Sequence, residues 1–470
     1  MIAALRAPSR GEMVAGLLLG VYATGVALAP DIPTKALLCA PLVAVPLTWR
    51  ILGAPNYWLA LFLGCVLLLP PLPIKLGDSG PHAALLFAAT GLWVGFLRLP
   101  QWRFRADPVA ACLLILAAIL MSSVAMALIY SGAAIAAGSF VRVLLFGISV
   151  FIFVYVRHGP GRIEPSQAFR WIRFLFWAAA ASALFACVDF YFQFPAPAGY
   201  EQQFIWLDAG VFRRAQGVFY EASTLGNICG FFLEMCAVAL FTPRGDRPLP
   251  AFALIVGGAT FAAALVLSYS RASLLNVAVG AVVLLWLHRH RIRWRRLALS
   301  LAVLGASASA ILGLAFPVFA RMYWLRLASV IQYFSESPDM VLSGRVRSWQ
   351  MLAQFLSSHP LHALLGVGYK TLPYSDFIGS TSVGDNTYLS FFVETGIVGV
   401  LAVIALNAAI LIVAYKAARS GDAVRRFCGA CMLCFWAGQV VQMFSADLLT
   451  YWRVLPIYFF VLAVAARQEA

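Results

Sequence analysis

Apolar runs of about 20 residues recur along the whole chain, divided by short polar connectors. Runs of that length cross a bilayer as helices, and they lack the strict alternation of membrane-barrel strands. The pattern predicts about fourteen spanning helices, at residues 12–29, 33–49, 56–73, 82–97, 109–131, 134–156, 171–192, 224–242, 250–268, 272–287, 298–318, 387–415, 427–445 and 451–467. The predicted fold is an all-α polytopic membrane protein of 12–14 spans. Four regions follow: N-terminal spans at 1–192, spans with a first long connector at 193–318, a large connector at 319–385, and C-terminal spans at 386–470.

Positive residues interrupt this pattern in alternate connectors. The clusters are Arg98, Arg103 and Arg105; Arg157, Arg162, Arg170 and Arg173; Arg244 and Arg247; Arg289, Arg291, Arg293, Arg295 and Arg296; and Lys416, Arg419, Arg425 and Arg426. The positive-inside rule assigns them to the cytoplasm, together with Arg6, Arg10, Arg50, Arg467 and both termini. The two long connectors, 193–223 and 319–385, then fall outside. The second has room for a small, partly helical domain, because Val346, Trp349, Leu352 and Leu356 recur at helical spacing. Such a helix lies on the membrane surface or caps the bundle.

Composition removes the soluble alternatives. Hydrophobic residues make up 62% of the 470 and charged residues 11%, against about 25% charged in soluble domains. The net charge of +15 is explained by the connectors, so it implies anionic lipid headgroups as partners and no nucleic acid. Arg6 and Arg10 before an apolar run ending Ala27-Leu28-Ala29 resemble a signal peptide, but Pro30 disfavours the cut, and an uncleaved first helix is expected. Cys428, Cys431 and Cys434 lie inside a span and read as small contact residues. The sequence shows neither metal-ligand spacing nor a Walker phosphate loop, so no metal or other cofactor is expected.

Chemistry concentrates in four patches on the predicted outer side. These are Arg213-Arg214 through Glu221; Tyr269 with Ser270-Arg271; Arg345, Arg347 and Trp349 with His359 and Gly366-Val367-Gly368-Tyr369; and Asp385-Asn386, nine residues, then Gly396-Ile397-Val398-Gly399. A single boundary arginine ordinarily snorkels to headgroups. Several on the less basic side suit a shared anion, since guanidinium groups are planar, always charged and bidentate toward phosphate. Asp385 and Asn386 open a helix, where Asp and Asn serve as N-caps, and capping is compatible with catalysis. His359 reads first as structural. Arg142 and Glu234, both inside spans, are candidates to neutralise each other.

In this order the patches resemble the O-antigen ligase and O-antigen polymerase superfamily (WaaL-like and Wzy-like proteins). Arg214-Ala215-Gln216-Gly217 through Leu225-Gly226 is similar to the family's Arg-x-x-Gly stretch, Ser270-Arg271 to its Ser-Arg helix end, Arg345 to Tyr369 to its large-loop core, and Asp385 to Gly399 to its closing motif. The resemblance covers about residues 210–400. It implies a GT-C-like fold in the bacterial inner membrane, with a periplasmic site that transfers glycan from undecaprenyl diphosphate without a metal. Arg214 and Arg271 would stabilise the leaving diphosphate. Arg213, Glu221, Tyr269, Arg345, Arg347, His359, Tyr369 and Asn386 would bind substrate, and Asp385 would orient the acceptor hydroxyl or take its proton. Ligases usually carry a His where Asp385 stands, which favours the polymerase branch, with an acceptor glycan as partner and a chain-length regulator as a further one. The alternatives are a ligase acting on lipid A core or protein, and a lipid-linked-glycan flippase. A flippase would spread its cations over many helices around a central cavity.

Overall fold

In hydrocarbon every backbone N–H and C=O needs a partner within its own segment, so the apolar runs fold as helices. A computed structural model of the protein describes residues 10–29, 53–72, 81–195, 203–207, 210–290, 345–375, 377 and 385–467, with scattered positions between 31 and 50 and between 295 and 328. The predicted spans 33–49 and 298–318 and the stretch 319–344 lie outside the described residues.

Residues 1–58 and 59–470 are two separate compact units. The first carries α1 (Arg10–Leu28). Helix α2 (Tyr57–Leu68) begins at the boundary. The second unit continues with α3 (Ala84–Leu97), α4 (Pro108–Ser131), α5 (Ala133–His158) and α6 (Pro165–Phe192). A two-stranded hairpin follows, β1 (Phe204–Leu207) and β2 (Gly210–Arg213), with Phe204 opposite Arg213. Then come α7 (Ala222–Phe241), α8 (Ala251–Leu267), α9 (Arg271–Leu287), α10 (Arg345–Ser358), α11 (Pro360–Leu365), α12 (Thr387–Ala418), α13 (Ala423–Gln442) and α14 (Leu455–Ala465).

Among the described residues five helices, α4, α5, α6, α7 and α12, are long and apolar enough to cross a membrane. Of these α7 is the most enclosed: 78% of its apolar window is buried, against 28% in α4. Polar side chains bind α7 to its neighbours. Asn227 donates to Gln439 and Gln442 of α13 at 3.2 and 3.0 Å and accepts from Tyr458 of α14 at 2.6 Å. Such interhelical bonds replace the hydrophobic drive that lipid cannot supply. Arg142 and Glu234 do not meet. Arg142 lies over the Tyr374 ring at 4.4 Å, whereas Glu234 faces Gly280 and, at 3.2 Å, Asn276.

Contacts between connectors sort the second unit into two ends. At one end Arg157 pairs with Asp107 (2.9 Å), Arg173 donates to the Pro248 carbonyl (2.6 Å), Arg426 pairs with Asp246 (2.8 Å), and Arg425 reaches Ala465 (3.3 Å). These are the connectors rich in arginine. At the other end Ser131 bonds Ser375, Arg214 bonds Ser268, Thr387 bonds Ala446, and Arg453 bonds Val218 and Leu69.

Candidate functional site

The end opposite the basic connectors gathers all four sequence patches. The hairpin separates the two adjacent arginines, because strand neighbours point to opposite faces. Arg213 is buried and pairs with Asp189 of α6 at 2.6 Å, while its backbone N–H donates to Gln193 at 2.8 Å. That placement sets Arg213 apart from the substrate-binding role expected of it: it ties the hairpin to α6. Arg214 turns the other way, and its Nε donates to the Ser268 carbonyl at 2.8 Å. The next N–H, of Ala215, bonds the Leu267 carbonyl at 3.1 Å. The first patch is thereby laid on the turn that holds the second.

In that turn Tyr269 has a positive φ of 51° and Ser270 caps α9, its Oγ accepting from the Ser273 N–H at 3.4 Å. Arg271 is the first residue of α9 and is half-buried. Gly226 lets α7 approach this turn: a Cβ there would lie 2.8 Å from the Ser268 Oγ and 2.9 Å from the Ser270 Cβ. The glycine of the first motif and the serines of the second are thus one packing contact.

The third and fourth patches meet through α12. Helix α10 buries Leu352, Phe355 and Leu356 against Val367, Leu372 and Val393, and its first residue, Arg345, pairs with Asp385 at 3.0 Å. Asn386 is the N-cap of α12, accepting from the Leu389 N–H at 3.1 Å. The two residues therefore divide the roles that the sequence left joined: Asn386 caps, and Asp385 is held by Arg345. Gly396 breaks the helix, with φ 71° and ψ −172°. Val367 and Gly368 donate to the Val393 and Glu394 carbonyls there at 3.0 and 2.9 Å.

Three further residues of the third patch are placed as follows. Tyr369 is buried, its ring 5.6 Å from that of Phe391. His359 is exposed and stacks on Phe355 at 4.8 Å beside His362, which are the contacts of a helix end. Arg347 stands exposed on the first turn of α10.

Residues that sequence reasoning passed over complete the cluster. Lys370, at φ 57°, pairs with Asp447 from the α13–α14 connector. The charge of Asp447 holds Lys370 above its usual lysine range, against the opposing effect of burial. Tyr451 is buried nearby and is pushed well up by burial, with Glu221 and Asp385 adding to the shift. Arg453 donates to the Val218, Val66 and Leu69 carbonyls at 2.7, 2.9 and 2.7 Å and fixes the turn that leads into Glu221. One signal was available: Asp447 is the charged residue of the predicted connector 446–450, on the predicted outer side.

A bundle of apolar helices with cations and carboxylates from five connectors collected at one end defines a multi-pass membrane protein with a charged terminal site. Residues 256–404 match the O-antigen ligase family model (Wzy_C), and this match supports the O-antigen ligase and polymerase superfamily, whose members are glycosyltransferase-like enzymes. The match includes Arg271, Arg345, Lys370 and Asp385. Arg214, Glu221, Asp447 and Tyr451 lie outside it and reach the same place through the fold. Comparison with curated proteins gives no match.

Proposed function

We propose that the chain is a polysaccharide polymerase of the inner membrane, built on a GT-C-like bundle of about fourteen spans. It transfers glycan from undecaprenyl diphosphate to a hydroxyl of a second lipid-linked repeat. The observation that carries this reading is the bond from Arg214 to Ser268, which seats two arginine patches together at the end away from the basic connectors. The positive-inside rule makes that end periplasmic.

Diphosphate is already a good leaving group, so the protein must hold its growing charge and align the attack. Arg214 and Arg271 supply the cations, and such fixed donors are worth most where charge develops. Arg345 steadies Asp385, which orients the acceptor hydroxyl toward the anomeric carbon. Attack opposite the diphosphate inverts that centre.

Asp385 favours the polymerase, since the family's ligases usually carry a histidine there. The description of the matched family, O-antigen ligase, favours the second reading, transfer to lipid A core. The product separates them. A host lacking the gene and complemented with the full chain should accumulate a ladder on the lipid carrier or as free polysaccharide. Loss of glycan from lipid A alone in the unrescued host would establish the ligase.

A further inference from the structure

The transfer leaves one atom without a destination, the proton of the acceptor hydroxyl. The carboxylates at this end are mostly committed. Asp385 is held by Arg345, Asp189 by Arg213, and Asp447 by Lys370. Glu394 has no ion pair among the described residues either, but it is buried two turns inside α12, where it accepts from the backbone N–H groups of Lys370 and Leu372. A carboxylate bound by a cation is a poor base, because the cation favours its charged form.

Glu221 differs. It forms no ion pair among the described residues, and the one hydrogen bond to its carboxylate there comes from the Thr224 hydroxyl at 2.6 Å. It occupies the N-cap of α7, yet its side chain caps nothing, and Ser, Thr, Asp or Asn is the usual choice there. Capping therefore does not account for it. Its surroundings come from separate segments: Arg214 from the hairpin, Lys370 and Asp385 from the α11–α12 connector, and Tyr451 from the α13–α14 connector all lie within electrostatic reach. The backbone beneath it is fixed by the Ala222 N–H on Gln203 Oε1 at 3.2 Å and by Arg453 on the Val218 carbonyl at 2.7 Å.

We propose that Glu221 is the general base of the transfer. As the acceptor oxygen bonds to the anomeric carbon, its proton passes to the Glu221 carboxylate. The bond from the anomeric carbon to the diphosphate oxygen breaks, and its electron pair leaves with the diphosphate. This assignment rests on the transfer reading above. Burial already holds Glu221 above the usual carboxylate range, outweighing the opposing Thr224, Lys370 and Arg214. A diphosphate arriving at Arg214 and Arg271 adds negative charge and raises it further. A carboxylate so raised is better matched to proton transfer near neutral pH.

The test uses the full chain in proteoliposomes with undecaprenyl-diphosphate oligosaccharide from the native host. Glu221→Gln should lower turnover by about 100- to 10,000-fold while binding undecaprenyl diphosphate as the wild type does. Formate should restore part of the rate to Glu221→Ala, and Glu221→Asp should be intermediate. The wild-type rate should fall as pH drops through the raised Glu221 range. Glu221→Gln within a few-fold of an active wild type overturns the base assignment and leaves the transfer reading standing. If Glu221→Gln does not fold, an Ala variant that folds and shows no formate rescue overturns it equally. A wild type that elongates nothing overturns the transfer reading, and this inference with it.

Discussion

The two ends of the second unit use arginine in opposite ways. At the basic end several arginines settle on a helix cap or on connector carbonyls beside them. Asp107 caps α4 through Oδ1 and takes Arg157 on Oδ2, and Arg173 and Arg425 donate to carbonyls of Pro248 and Ala465. Among the described residues of these connectors none has a positive φ. At the other end charges of both signs are drawn from distant segments, and the backbone is strained to place them. Among the described residues the non-glycine positions with positive φ are Gln193, Tyr220, Tyr269 and Lys370, all at this end. Strain of that kind costs about 1–3 kcal/mol per residue and persists where surrounding contacts enforce it. The lesson is that the amount of positive charge marks topology, while mixed charge on strained backbone marks chemistry.

The sharpest way to break this contrast is to remove one arginine from each end. Arg214→Ala should reduce glycan elongation by about 100- to 1,000-fold, the usual loss for one donor to a developing anion. Arg157→Ala should leave elongation within a few-fold and act on stability, since its removal exposes the Asp107 pair. Chain-length profiles on gels, normalised to protein in the membrane, read both. Equal losses at the two ends would dissolve the distinction.

Next in size is the joint that carries the third and fourth patches. In Gly396→Ala, a side chain at this positive φ and extended ψ costs about 1–3 kcal/mol, and its Cβ would stand 2.1 Å from the Leu364 carbonyl oxygen. The thermal midpoint of the detergent-solubilised chain should drop, and elongation with it. An unchanged midpoint would mean that the Gly366–Gly368 segment is not seated on the break in α12.

Most of the bundle was legible in the hydrophobic pattern, because helix formation in lipid is decided by local composition. The ends of the helices were less so. The predicted span 56–73 stops at Leu68, just before Pro70 and Pro71, and 451–467 begins as helix only at Leu455, after a turn spent positioning Arg453. The four patches were legible as motifs, but the partners within them were not. Nothing local tells Arg213 from Arg214; the hairpin does, with Arg213 as the last residue of β2 and Arg214 just past it. Lys370 and Asp447 are 77 residues apart, and no periodicity connects them. Asp385 and Asn386 read alike as caps until Arg345 claims one of them.

Asp385→Asn sharpens the comparison further by breaking one ion pair within the site. The side chains of Arg345 and Asp385 are 28% and 41% exposed, so the pair adds at most about 1 kcal/mol to stability. The thermal midpoint should barely move, because Asn386 still caps α12. Elongation should fall by about tenfold, roughly 1.4 kcal/mol in the barrier, as the acceptor loses its orienting charge. A variant as active as the wild type would confine Asp385 to holding α10.

The smallest effect is expected from the matching pair at the basic end. Arg426 and Asp246 lie 2.8 Å apart, and both side chains are 36% exposed. Pairs this open contribute about 0.2–1 kcal/mol and weaken in salt. Arg426 also donates to the Ser420 and Gly421 carbonyls at 3.2 Å, which belong to the connector itself. Arg426→Gln keeps a donor for those carbonyls and removes only the charge. Elongation should be unchanged and the midpoint lowered slightly, with the difference fading at high ionic strength. A tenfold loss of elongation would mean that charge at this end reaches the chemistry, and the two ends would have to be treated as one electrostatic system.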